Sequence, residues 1–377
     1  MNEQRRRFLL TAAGLAAAAP FSAAMLASRS AFALDDAPPR KLRVLMLGGT
    51  GFLGPHTVEY AMKRGHTVTL FNRGRTRPHL FEELEQLRGD RDGDLDALKG
   101  REWDVVVDTS GYVPRIVRDS ATLLKDAVGQ YIFISSVSAY ASFPERGMDE
   151  TAPVGTLIDE TIEEVNGHTF GPLKALCEQA AEEVMPGRVT NIRPGLIVGP
   201  GDNTDRFTYW PVRVSRGGEV LAPNSPEDET QLIDVHDLAE WIIHCAERRV
   251  TGLYNATGPN EALTMGAMLE ACRRASGSDA RFTWVSKEFL SGFRVGPWSD
   301  MPCWIPAEGD YTGFASVSNA RAVRQGLTFR PILDTCRATL EWWNEQPEER
   351  RARLRAGINP DREREVLAAY AEAKGES

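Results

Sequence analysis

The chain has 377 residues, with 44 Lys plus Arg against 53 Asp plus Glu and a formal charge of −9. Hydrophobic residues at 42% and charged residues at 26% exclude a disordered or collagen-like chain, and the acid excess argues against a nonspecific nucleic-acid binder. A chain this long needs no small-scaffold staples, and five scattered cysteines (Cys177, Cys245, Cys272, Cys303, Cys336) without a Cys-x-x-Cys or Cys/His cluster point to reduced or buried thiols rather than zinc or a disulfide framework.

In chain order, residues 5–10 read Arg-Arg-Arg-Phe-Leu-Leu, followed by an Ala-rich apolar stretch to Leu26 and the small-residue site Ala31-Phe32-Ala33. This resembles a twin-arginine signal cleaved after Ala33. Gly14 and Pro20 interrupt the stretch, which falls short of the ~20 apolar residues of a membrane span. The resemblance implies export by the twin-arginine machinery to a periplasmic or extracellular compartment. Removing residues 1–33 takes away four Arg and one Glu, leaving 40 basic and 52 acidic groups and a charge of −12.

After a short linker over residues 35–40, Leu42–Leu47 is a continuous apolar run that predicts a strand buried on both faces. Gly48-x-x-Gly51-x-x-Gly54 follows, then a helical pattern through Lys63 and a second strand over Thr67–Phe71. Further strands are predicted at Asp104–Val107, Tyr131–Ile134 and Val189–Ile192, with helices over Ile116–Ala127 and Leu173–Val184 between them. Alternating βα units predict an α/β fold, a Rossmann-type doubly wound parallel sheet with a smaller C-terminal substrate lobe. The expected division is residues 41–200 for the nucleotide domain, with 231–258 returning to it. Residues 201–230 and 259–345 form the lobe and 346–377 a charged helical tail.

The glycine spacing has a physical reason. Gly48 allows a tight turn, Gly51 lets backbone approach a pyrophosphate, and Gly54 admits close helix packing, with Phe52 and Leu53 carrying the chain into the helix start. At the end of the second strand, where a carboxylate would hold the ribose of NAD, the chain has Asn72, Arg73, Gly74 and Arg75. Arginines there suit a 2′-phosphate, so the cofactor is read as NAD(P) with NADP favoured over NAD.

From Lys41 to about Leu340 the sequence resembles the short-chain dehydrogenase/reductase superfamily, in its extended or atypical branch of NAD-dependent epimerases and dehydratases. The resemblance rests on GGTGFLG at 48–54, GDRD at 89–92, SSVSAY at 135–140, FGPLK at 170–174, RPGLIVGPGD at 193–202 and QLIDVHDLA at 231–239. It implies that Asp90 and Arg91 lie near adenine, that Thr109, Ser110 and Gly111 line the cofactor, and that Pro194 and Gly195 flank the nicotinamide. Ser136 takes the place of the family's catalytic Ser or Thr, and Lys174 is the lysine of its Tyr-x-x-x-Lys motif, which holds the ribose and lowers the tyrosine pKa. The tyrosine itself is Phe170, which fills the same space but cannot exchange a proton. Three explanations stand open: another group replaces it, Tyr140 first and His168 next; Phe170 inactivates a competent enzyme; or the protein binds nucleotide without turnover.

Export bears on mechanism, because a compartment outside the cytoplasmic membrane is not expected to hold a pool of free NAD(P). A closed cycle, in which hydride is taken and returned, needs only a cofactor loaded before export. The expected partner is a small, sugar-like molecule and not a nucleic acid, although chloroplast stem-loop RNA-binding proteins also resemble this branch. Candidate substrate residues are Asp205, Arg206, Tyr209, Trp210, Arg213, Trp298, Trp304 and Tyr311. Family analogy adds a homodimer.

Overall fold

The computed structural model describes residues 40–375, so the export signal expected over residues 1–33 lies outside the described residues. Strand β1 (Arg43–Leu47) shows why the first half folds as it does. Val44 and Met46 enter one hydrophobic cluster while Leu45 and Leu47 enter another on the opposite face, and all four are fully buried. Alternate side chains of a strand point to opposite faces, so an unbroken apolar run requires cover on both. That cover is worth about 1.5–3 kcal/mol per fully buried aliphatic side chain.

The chain continues through α1 (Leu53–Lys63), β2 (Thr67–Asn72), β3 (Glu85–Arg88), β4 (Val105–Asp108), α2 (Pro114–Leu124) and β5 (Gln130–Ile134). It then forms α3 (Phe170–Val184), β6 (Val189–Pro194), β7 (Ile197–Val198), α4 (Tyr209–Ser215), β8 (Glu219–Pro223) and β9 (Glu229–Asp234). Next come α5 (Val235–Arg248), β10 (Gly252–Ala256), β11 (Gly258–Thr264), α6 (Met265–Ser276), β12 (Arg281–Val285) and α7 (Lys287–Gly292). The C-terminal part holds α8 (Ala320–Arg324), α9 (Ile332–Asn344), α10 (Glu348–Arg351) and α11 (Pro360–Lys374).

Seven strands form one parallel sheet in the order β10-β6-β5-β4-β1-β2-β3. Helices α1 and α5 cover one face and α2 and α3 the other, which is the doubly wound α/β arrangement that the βα alternation predicts. The order reverses beside β1, so the carboxyl ends of β1 and β4 open a crevice there. Two strands, β3 and β10, stand outside the five apolar runs read from sequence.

A separate hydrophobic cluster builds the lobe. It gathers Phe207, Trp210, Met265, Leu269, Trp304 and Cys336 with Ile358 and Val366 of the C-terminal segment. The charged tail is therefore helical but also packed: Glu363 is 3% exposed, accepting from Arg213 Nε at 2.6 Å and from the Leu221 amide at 3.0 Å. All five cysteines are buried as thiols, with Cys272 Sγ 3.6 Å from Cys336 Sγ.

Candidate active site

A cleft of about 1990 Å³ opens along the carboxyl ends of the sheet and under the lobe. Its floor is the glycine turn. Gly48 and Gly49 adopt φ of 108° and 93°, backbone that L side chains rarely tolerate. A Cβ on Gly54 would lie 2.5 Å from the carbonyl carbon of Gly49, so the helix start presses against the turn only because both are glycine. No side chain caps α1 at Phe52, which leaves its first N–H groups to face the cleft. This cradle fits a dinucleotide pyrophosphate.

Gly48, Gly51, Phe52, Leu53 and Gly54 all border the cleft, as do Asn72, Arg73 and Arg75. Asn72 shapes its own loop, its Oδ1 accepting from Gly74 N at 2.8 Å and from the Arg88 guanidinium. Arg73 and Arg75 are exposed and have no ion-pair partner among the described residues. Asp90 and Arg91 also border the cleft, and the Arg91 side chain is committed to the interior. Its guanidinium turns inward to the fully buried Asp108 at 2.6 Å and to Ser120 Oγ at 3.1 Å. A buried carboxylate requires such a partner, and Tyr131 adds its hydroxyl at 2.7 Å.

Thr109 and Ser110 line the cleft and bond the Leu47 carbonyl. Gly111 does not line it. Its carbonyl instead accepts from Lys174 Nζ at 2.7 Å, and a Cβ there would lie 2.6 Å from the Phe133 ring. Lys174, 4% exposed, also donates to the Ile134 carbonyl at 2.6 Å. Burial outweighs the nearby anionic groups and lowers its pKa to about 8. Ser136 follows the end of β5 by two residues and caps a short turn, its Oγ accepting from Ser138 N at 3.0 Å.

Phe170 begins α3 four residues before Lys174, so both lie on one helix face toward the cleft. Tyr140, expected as first substitute for the missing phenol, borders the cleft but is 4% exposed. Its hydroxyl donates to Asn255 Oδ1 at 2.8 Å, and the Arg193 guanidinium sits over its ring at 4.6 Å. Burial raises its pKa. His168 also borders the cleft and is exposed.

Pro194 and Gly195 line the cleft below the lobe. A Cβ on Gly195 would fall 1.9 Å from Gln231 Oε1, so glycine is required. Gln231, which opens the QLIDVHDLA motif but was given no role there, is 3% exposed, and its Nε2 has no hydrogen-bond partner among the described residues.

On the substrate side, Asp202, Thr204, Arg206, Trp298, Tyr311 and Phe314 face the same space, with Arg206 over the Trp298 ring at 5.3 Å. The other aromatic candidates do not reach it. Tyr209, Trp210 and Trp304 belong to the lobe core, where aromatic area is worth more than at a polar rim. Asp205 is fully buried at φ 61°, its carboxylate accepting from Arg350 and from Arg355 N at 2.8 Å. Arg213, another substrate candidate, is instead the partner of Glu363.

The glycine cradle and the switch-point cleft define the architecture of dinucleotide-binding doubly wound α/β proteins. Residues 44–257, more than half of the chain, match the NAD dependent epimerase/dehydratase family, and the chain belongs to that family. It is 27% identical over 260 residues to the chloroplast stem-loop binding protein of 41 kDa b of Arabidopsis thaliana, covering 62% of this chain and 63% of that protein's length. The Bordetella bronchiseptica enzyme WbmH, solved with NAD+, superposes with a TM-score of 0.59 at 16% identity, over 81% of this chain and 99% of its own. WbmG from the same organism, solved with NAD and UDP, gives 0.60 at 15%, over 81% and 94%. These structural likenesses establish the fold.

Proposed function

We propose that the chain is an exported NAD(P)-dependent epimerase or dehydratase. It acts on a sugar-like, nucleotide-linked substrate by transient oxidation at a carbinol and return of the hydride in the same cycle. The observation that carries this reading is that the glycine cradle, Lys174 and the Arg206–Trp298 pair open into one cleft. The family match and the nucleotide-bound fold relatives support it.

The nicotinamide, when bound, accepts and returns the hydride. The chain's own residues do the rest. The α1 start and the glycine turn hold the pyrophosphate, and Lys174 holds the ribose. Ser136 Oγ orients the reacting oxygen, and Arg73 and Arg75 meet a 2′-phosphate. Arg206 and Trp298 grip the nucleotide half of the substrate. A closed cycle follows from the twin-arginine signal read in the sequence, since a cofactor folded in before export need not be exchanged.

The test is to purify the exported protein, denature it and identify released nucleotide by mass spectrometry. Stoichiometric NADP or NAD is expected; an empty protein made in nucleotide-replete cells removes the preloaded cycle.

Phe170 favours a second reading, a nucleotide-binding protein without turnover. Robust native turnover on a panel of sugars and alcohols sinks it. The stem-loop binding named for the Arabidopsis relative needs clustered cations, against which the charge of −12 after removal of the signal speaks. A salt-sensitive RNA mobility shift would revive it.

A further inference from the structure

Among the described residues three tyrosines border the cleft: Tyr112, Tyr140 and Tyr311. Tyr140 is committed to Asn255 beneath the Arg193 guanidinium. Tyr311 sits on the lobe in an aromatic group with Phe143 and Phe314, at ring separations of 6.5 and 6.3 Å. Tyr112 is placed differently. It stands on the loop between β4 and α2, with its ring centroid 5.1 Å from the Lys174 ammonium and 6.3 Å from the Phe170 ring. It is 46% exposed, and its hydroxyl meets no hydrogen-bond partner among the described residues.

The loop is held there by the same lysine. Gly111, one residue earlier, gives its carbonyl to Lys174 Nζ, and its missing side chain lets the loop lie against Phe133 and Val117. Position 112 and the Phe170–Lys174 face of α3 are thus tied together by one hydrogen bond.

We infer that Tyr112 supplies the proton-transferring phenol that position 170 lacks, as a catalytic residue of the reaction proposed above, on which this inference rests. In the oxidation half the substrate O–H bond breaks and its proton passes to the Tyr112 phenolate oxygen. The C=O bond forms as the C–H electron pair leaves as hydride to the oxidised nicotinamide. In the return half the hydride comes back to carbon and the Tyr112 hydroxyl gives the proton to oxygen. Two charged groups act on this phenol, Lys174 from α3 and Asp108 at the end of β4. Burial and then Asp108 raise its pKa, so without nucleotide it rests protonated. An oxidised nicotinamide, which carries a positive charge, favours the phenolate.

The test is a tyrosinate-absorbance titration of the full chain with NAD+ and with NADH, repeated with NADP+ and NADPH. The oxidised ring carries a positive charge that the reduced ring lacks. One phenol is expected to titrate about one pH unit lower with the oxidised form. That response is lost in Tyr112→Phe and kept in Tyr140→Phe. Equal titration with both forms, or a response that survives Tyr112→Phe, overturns the inference. Retention of dinucleotide, read by mass spectrometry on the same samples, separates the two levels: a protein that takes up none overturns the underlying reading as well. On a UDP-sugar panel Tyr112→Phe should lower kcat about 100-fold or more with KM and nucleotide content unchanged. Phe170→Tyr in that background should restore turnover, and undiminished turnover of Tyr112→Phe counts against the assignment.

Discussion

The two walls of the cleft are made of different material. The nucleotide wall is mostly backbone: glycines at 48, 49 and 54, uncapped amides of α1, and a lysine fixed by the carbonyls of Gly111 and Ile134. The substrate wall is mostly side chain, carried on loops with left-handed residues at Asp205 and Trp298 and braced from behind by the C-terminal segment. A wall of backbone serves a ligand part common to a whole family. A wall of side chains is free to vary with the substrate, and it depends on distant residues to hold its shape.

The comparison breaks first at Gly54. Gly54→Val drives side-chain carbon into the Gly49 backbone and is expected to abolish bound nucleotide, which mass spectrometry of the denatured protein reads directly. If nucleotide survives, the turn is not the cradle.

Asp205→Ala should do the reverse. It leaves Arg350 facing an empty buried site and places alanine at φ 61°, costing about 3 kcal/mol or more in urea unfolding while nucleotide stoichiometry holds. Equal loss of nucleotide would mean that the two walls do not act separately.

A smaller effect sharpens the nucleotide wall alone. Burial puts Lys174 near pH 8, below the usual lysine value, so its charge in the nucleotide-free protein disappears as pH rises through about 8. Dinucleotide affinity measured by calorimetry should fall by up to about tenfold per pH unit above that point, and Lys174→Met should remove the step. The same depression makes the cofactor-free fold gain stability between about pH 8 and the unfolded lysine value, because only the unfolded chain then holds that proton.

The smallest expected effect concerns the 2′-phosphate. Arg73→Asp should weaken NADP about tenfold more than NAD. Parallel losses for both nucleotides would show that Arg73 does not read that phosphate.

Much of the sheet was legible because its strands are buried on both faces and so appear as apolar runs. Glu85–Arg88 was not, since this edge strand buries only Leu87 and reads as polar chain. The C-terminal helix was read as a charged tail, but its packing was hidden: charge dominates its sequence, while Val366, Leu367 and Glu363 alone turn inward. The glycine cradle could be read from spacing because each glycine answers a local steric demand. The lobe aromatics could not be sorted from sequence, because Trp210 and Trp298 differ only in what the fold sets around them. Tyr112 carries no motif, and only the approach of Lys174 across the sheet gives it meaning.

The partners of Asp205 lie at positions 350 and 355, roughly a hundred residues beyond Ala256, the end of the last strand of the sheet. On a ribosome the chain emerges from its N-terminus, so the dinucleotide half is complete in sequence well before the brace for the opposite wall exists. The order of synthesis thus gives the cofactor first access to an open floor. Pulse-labelled nascent chains should be retained on immobilised dinucleotide before the final segment emerges, and retention only of finished chains would contradict this order.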